Sequence, residues 1–134
     1  MQDIRVGRVM AKHPIAIKTG TELTEVVEVL LQHHSIGLPV VNDSNVVVGF
    51  VSEQDCLRRL LITSYHHEGD VRVEDIMHTD LLTVREDDSV VNVAEMMLQQ
   101  KPKIYPVVND RGALVGLLTR EQVLRVLKDS RQES

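Results

Sequence analysis

Two hydroxyl residues each stand three places before a polar partner, where a β-branched run gives way to an amphipathic stretch: Ser52 before Asp55, and Thr119 before Gln122. At a strand-to-helix junction a hydroxyl, free first-turn amides and the positive end of the helix dipole converge, which suits a phosphate. Asp55 and Gln122 lie one turn further along, and a carboxylate placed there has acceptor oxygens for both hydroxyls of a ribose. The same spacing approximates a capping box, in which the hydroxyl caps the helix and the third-on residue returns the bond. Capping accounts for both pairs without a ligand, and the two roles are not exclusive for the hydroxyls.

Other reactive residue types lead to blander readings. Cys56 is the one cysteine, so no internal disulfide or thiolate metal site is available, and it reads as buried filler. Among six histidines, His33-His34 and His66-His67 form pairs, but adjacent residues on a helix diverge and no His-Glu-x-x-His spacing occurs, so a zinc site is not expected. Glu86-Asp87-Asp88 precedes a helix, where the dipole favours negative charge. With no nucleophile matched to a base, no acid and base pair and no phosphate-cradling glycine loop, the chain does not read as an enzyme.

Composition narrows the partners. The 134 residues carry 15 Lys and Arg against 20 Asp and Glu, a formal charge of −5, with 43% hydrophobic residues, an ordinary globular balance. Acidic balance and three aromatics (Phe50, Tyr65, Tyr105) argue against a nucleic-acid surface. The longest apolar stretch, Val46 to Val51, is far short of the roughly 20 residues of a membrane helix, so no membrane partner is expected. Met1 to Lys12 has no apolar h-region, and a cytoplasmic location is expected.

The elements that must position Ser52 and Thr119 come in two copies. Sliding the chain by 67 positions lays Pro39-Val40-Val41-Asn42-Asp43 on Pro106-Val107-Val108-Asn109-Asp110, Val48-Gly49 on Val115-Gly116, and Met10 on Met77. Asp3 with Asp70, Arg5 with Arg72, Val26 with Val93, Leu57 with Leu124 and Arg58 with Arg125 agree at the same offset. A gapless offset of this length marks a duplication, with residues 1–67 as the first repeat plus linker and 68–134 as the second.

Each copy repeats one order of elements: turn, strand, helix, strand, strand, helix. A small helical piece ends at Met10 or Met77, and a short apolar strand follows at Ile15 to Ile17 or Leu81 to Val84. Leu23, Val26, Val27, Leu30 and Leu31 make a helical stripe, copied by Val90, Val93, Ala94, Met97 and Leu98, with Thr21 and Asp88 as expected N-caps. Leu38 to Val41 and Val46 to Val51 read as a hairpin around Asn42-Asp43-Ser44-Asn45, and Tyr105 to Val108 with Ala113 to Leu118 as its copy. Closing helices carry Cys56, Leu57, Leu60 and Leu61, or Val123, Leu124 and Leu127, and Thr63 to Asp70 connects the copies. Units this small have little core of their own, so the copies are expected to pack on each other.

This order resembles the CBS domain, named after cystathionine beta-synthase, and two copies in tandem resemble a Bateman module. The residues that carry the resemblance are Leu38-Pro39-Val40-Val41 with Gly49-Phe50-Val51-Ser52-Glu53-Gln54-Asp55, Tyr105-Pro106-Val107-Val108 with Gly116-Leu117-Leu118-Thr119-Arg120-Glu121-Gln122, and the openings Val9-Met10 and Ile76-Met77. The resemblance implies an α/β (α+β) fold of two tandem β-α-β-β-α repeats associated by their sheets about a pseudo-two-fold axis. It also implies two clefts that take adenosine-containing ligands (AMP, ADP, ATP, S-adenosylmethionine or NAD), a homodimer, and a regulatory role towards a partner protein whose identity the sequence does not give.

On that resemblance the ligand-binding candidates are Ser52 and Asp55, with Asp55 on the ribose, and Thr119 and Gln122 at the equivalent place. Ala16 and Thr83 are expected on the short strands near the base, and Leu38, Pro39, Tyr105 and Pro106 beside an adenine pocket, with plain core packing as the alternative for Leu38 and Tyr105. The chain departs from the family pattern at Gln122, a neutral residue where the acid is usual, and at Gly37 and Ile104, where similar proteins place a basic residue. Phosphate charge must then be met by other groups, such as His34, Lys101, Lys103 or Arg120, unless these are solvated surface charges. Two functions follow: a nucleotide-sensing regulatory module, or a dimerisation and protein-interaction module with degenerate, empty clefts.

Overall fold

In a computed structural model, the backbone is described for residues 3–66, 69–99 and 102–133, and side chains for all of these except 63–66 and 132–133. It is a mixed α+β protein. The elements run α1 (Val6–Val9), β1 (Ile17–Lys18), α2 (Leu23–Gln32), β2 (Gly37–Val41), β3 (Val47–Ser52) and α3 (Glu53–His66), then a 3-10 turn (Val73–Asp75), α4 (Val90–Gln99), β4 (Ile104–Val108), β5 (Leu114–Thr119) and α5 (Arg120–Glu133). Lys101 and His67 lie outside the described residues. The closing helix α3 continues to His66, absorbing part of the stretch expected as a connector.

Both hairpins form as the pattern requires. β2 and β3 pair antiparallel, with Leu38 opposite Val51 and a bulge between Val40 and Val41. β4 and β5 repeat the register and the bulge, with Tyr105 opposite Leu118. Turn chemistry is shared too: the Asn42 Oδ1 accepts the Ser44 and Val46 amides, and the Asn109 Oδ1 accepts those of Arg111 and Ala113. Asn45 and Gly112, at equivalent places, both take the left-handed φ that closes the turn. β1 adds to the first hairpin in parallel. Its counterpart shrinks to a single bridge, Val84 with Val107, so Ala16 and Thr83 lie just before these pairings and not within strands.

The chain divides into two compact units that do not coincide with the sequence repeats. One unit holds residues 15–81, and the other holds 1–14 together with 82–134. Each therefore contains one copy's sheet and long helices, clasped by the opening segment of the other copy. In the first unit Leu23 donates its amide to the Val71 carbonyl at 2.9 Å and Val73 donates to Thr21 at 2.8 Å. In the second unit Val90 donates to Ile4 at 2.8 Å and Val6 to Asp88 at 2.9 Å, the same bonds displaced by the repeat. A guanidinium closes each clasp: the Arg72 Nη1 donates to the Gly20 carbonyl and the Arg5 Nη1 to the Asp87 carbonyl, both at 2.9 Å.

That clasp corrects the expected N-caps. The residue before α2 is Glu22, with no side-chain cap bond, because the Val71 carbonyl already takes the first-turn amide. Thr21 instead donates its hydroxyl to the Lys18 carbonyl, and Asp88 accepts the Arg85 amide. The clasp also accounts for two glycines. A Cβ at Gly49 would lie 2.9 Å from the Met77 Cγ, and one at Gly116 would lie 2.9 Å from the Met10 Cγ, so Met10, Met77 and both glycines are one packing solution used twice.

Burial follows the helical stripes only in part. Leu23, Val26 and Leu30 of α2 are buried, as are Val90 and Val93 of α4. In the second unit the core gathers Ile4, Val6, Val84, Val90, Val93, Tyr105, Val107, Leu118 and Val123. Leu31, Leu57, Leu61, Leu98 and Leu124 are exposed, Leu98 to 88%, so the outer edge of every stripe finds no cover within its own unit.

Candidate functional site

The first junction is built by the hairpin. The register of β2 with β3 places Gly37 opposite Ser52, and α3 begins at the next residue. A capping box forms there: the Asp55 Oδ2 accepts the Ser52 amide at 2.9 Å and the Ser52 hydroxyl at 2.8 Å, while the Asp55 amide donates to the Ser52 Oγ at 3.1 Å. Asp55 is 6% exposed and is the one buried charged residue among those described. Its other oxygen, Oδ1, lies 2.8 Å from the His78 Nε2 and 3.7 Å from the Arg58 guanidinium. Burying a carboxylate is costly unless it is paired and hydrogen-bonded, and four contacts supply that here.

The second junction keeps the box without the charge. The Gln122 Oε1 accepts the Thr119 amide at 2.9 Å, and the Gln122 amide donates to the Thr119 Oγ1 at 3.2 Å. Capping is therefore present at both junctions, and Ser52 with Asp55 carries it as fully as Thr119 with Gln122. A phosphate at the junction would need free amides, and three at each junction are already bonded. Glu53 donates to the Ile36 carbonyl and Arg120 to the Lys103 carbonyl, each at 2.9 Å, and the boxes take the amides of Ser52, Asp55, Thr119 and Gln122.

The other candidates separate by burial. Leu38, Pro39, Tyr105 and Pro106 are buried in β2 and β4, which is the core reading for Leu38 and Tyr105. The Tyr105 hydroxyl is buried with no partner among the described residues, and burial raises its pKa above the ordinary 10.0. Ala16 is half-buried and Thr83 exposed. His34, Lys103 and Arg120 are exposed, as solvated charges would be. Gly37 departs from the basic pattern for a steric reason: its Cβ would lie 2.5 Å from the Phe50 ring.

Sequence reasoning missed His78, Arg59 and Asp75. A cavity of about 180 Å³ beside Asp55 is lined by Asp55, Arg58, Arg59, Ile62, Asp75 and Ile76. Arg59 is half-buried and its Nη1 donates to the Asp75 carbonyl at 3.3 Å. His78 reaches Asp55 because its backbone pairs with Phe50, exchanging bonds of 2.9 and 2.8 Å. The repeat offset carried a partial signal, since it aligned Met77 and Arg58 with their copies, but nothing in the pattern placed residues 73–78 against the first repeat's sheet. A larger groove, about 620 Å³, runs between α2 and α3 along Val27, Leu30, Leu31, Cys56, Leu57 and Leu60.

The CBS domain model matches residues 6–62 and 73–129. The chain is similar to the solved structure of CBSX2 in complex with AMP, with 31% identity, a TM-score of 0.82, and coverage of 95% of this chain and 98% of that one. It is also similar to the CBS domain pair of protein MJ0100 in complex with 5′-methylthioadenosine and S-adenosyl-L-methionine, at 26% identity and a TM-score of 0.82, covering 96% and 99% of the two chains. An uncharacterized protein of Methanopyrus kandleri is 27% identical over 127 residues, which are 94% of this chain. The chain spans 64%, 42% and 23% of the length of three curated relatives that it matches.

Proposed function

Because the chain belongs to the CBS domain family and carries two tandem copies of that domain, we propose that it is a regulatory module, not an enzyme, that binds an adenosine-containing nucleotide beside Asp55 and so alters its contacts with a partner protein. The observation that carries this reading is the buried Asp55 carboxylate at the strand-to-helix junction, in a chain that matches an AMP-bound CBS pair over nearly its whole length. Its two oxygens divide the work. Oδ2 stays bonded to Ser52 and holds the helix cap. Oδ1, bonded to the exposed His78 side chain, exchanges that contact for ribose hydroxyls. Ligand binding then favours whichever conformation of the 73–78 segment leaves Oδ1 open, since a ligand shifts an equilibrium only by its differential affinity.

Calorimetric titration with AMP, ADP, ATP, S-adenosylmethionine and NAD tests this. At least one of them is expected to bind with micromolar or tighter affinity, and silence from all five abandons the reading.

A homodimer belongs to the same proposal. The exposed Leu31 and Leu57 recur as exposed Leu98 and Leu124, and contiguous exposed apolar surface marks an interaction face. A second copy of the chain, presenting the same leucines, is the proposed cover, and sedimentation is expected to give a dimer at micromolar concentration. Gln122, Gly37 and Ile104 favour the other reading, a dimerisation module with empty clefts. It predicts a melting temperature that no nucleotide shifts, where a true ligand raises it by mass action.

A further inference from the structure

We propose that His78 is a proton-controlled gate on Asp55: its protonated imidazole holds the Oδ1 oxygen against an incoming ribose, and its neutral form yields that oxygen, so this unit takes an adenosine ligand more tightly at about pH 8 than at about pH 5.5. The inference rests on the adenosine reading and names the regulation of that same site. Asp55 is buried and spends Oδ2 on the helix cap, so Oδ1 is the oxygen left for a ribose. The His78 Nε2 stands 2.8 Å from it, and a ribose hydroxyl that bonds Oδ1 competes with the imidazole there. A neutral ring offers the carboxylate one N–H. The imidazolium adds its own charge to that bond and strengthens it, and histidine passes between the two forms in the physiological range.

The imidazole can leave without opening the fold. The His78 backbone is held to Phe50 by bonds of 2.9 and 2.8 Å, while its side chain is 61% exposed. The second unit builds the same backbone pair without a gate: Ala11 and Leu117 exchange bonds of 2.8 and 3.1 Å, and Ala11 and the neutral Gln122 occupy the positions equivalent to His78 and Asp55. The imidazole is therefore not what fastens such a segment to its sheet, and the gate belongs to one unit. Other charged or titratable groups surround Asp55 among the described residues. Arg58 lies 3.7 Å from Oδ1 and keeps its charge at every relevant pH. Arg59 and Asp75 line the adjoining cavity, where Arg59 donates to the Asp75 carbonyl and the Asp75 carboxylate accepts the Arg72 amide. Burial first, and the Asp55 charge second, push the Cys56 thiol up to about 11. Asp80 follows on the segment of His78 itself and is exposed.

The test titrates the intact chain with adenosine and with NAD, neither of which changes charge between these two pH values. It uses the natural sequence and His78→Gln, whose side-chain amide keeps a donor but takes no proton. In the natural sequence the affinity is expected to fall at least about threefold from about pH 8 to about pH 5.5, the size of a partly exposed ion pair. In the variant it should stay within about 1.5-fold, because the remaining groups around Asp55 are untouched. Equal affinity at both pH values, or the same fall in the variant, overturns the gate and leaves the adenosine reading standing. Binding seen only in the variant, at both pH values, overturns the control by protons, since His78 would then exclude the ligand in either form. Silence from both probes in both chains removes the gate, and titration with AMP, ADP, ATP and S-adenosylmethionine then decides separately whether the adenosine reading falls with it.

Discussion

Cys56 follows Asp55 on α3, points into the core, and is 3% exposed. Burial first, and the neighbouring Asp55 charge second, push its thiol from 9.0 to about 11. In the unfolded chain the thiol ionises near its ordinary value, whereas the folded chain holds its proton for longer. The unfolded state therefore binds fewer protons across this window, and stability falls as pH rises from about 9 to about 11, by at most about 3 kcal/mol. Below pH 9 the contribution is fully present. Urea unfolding at pH 8 and pH 10.5 is expected to show the loss, and a Cys56→Ala variant should lack this part of it; an equal loss in the variant would assign the effect to other groups. At this same scale the hydroxyl and carboxylate of Ser52-x-x-Asp55 were legible in the sequence as a capping box, because the three-residue spacing brings them together at the helix start. His78 was not, because its contact with Asp55 spans 23 positions and depends on which segment edges the sheet.

Elements were easier to read than their partners. The stripe of α2 and the hairpin periodicity fall where the pattern put them, since both are local consequences of side-chain direction. The caps were misread because Thr21 and Asp88 have the right chemistry, yet a distant backbone carbonyl satisfies the amide first. The glycines show the same dependence on a non-local neighbour. Gly49→Ala is expected to destabilise the protein by about 1–3 kcal/mol, the usual result of forcing a methyl into a packed contact. A double-mutant cycle with Met77→Ala should show coupling of about 0.5 kcal/mol or more, as contacting residues do. Strict additivity in urea unfolding would mean that the thioether is not what confines position 49.

Over the whole molecule, Asp3 and Asp70, Arg5 and Arg72, and Met10 and Met77 share one meaning. Each belongs to a clasp that one repeat lends to the other's sheet and helices. The offset disclosed the duplication, but a repeat pattern is symmetric between a segment kept at home and a segment exchanged, so only the fold distinguishes them. Val6 and Val73, both fully buried, offer the test. Val6→Ala is expected to cost roughly 1–3 kcal/mol and to speed hydrogen exchange at Val90 and Leu117, whose amides bond the 4–11 segment. Val73→Ala should instead loosen Leu23 and Phe50, the amides held by Val71 and His78. Loosening in the opposite units would refute the exchange.

The account as a whole turns on a nucleotide reaching the Asp55 carboxylate. Amide chemical-shift mapping of the labelled chain on addition of AMP measures that directly. The account predicts saturable shifts at Ser52, Asp55 and the 76–79 segment, together with loss of the His78 contact to Oδ1. Shifts confined to the groove between α2 and α3, or none at millimolar AMP, would contradict it.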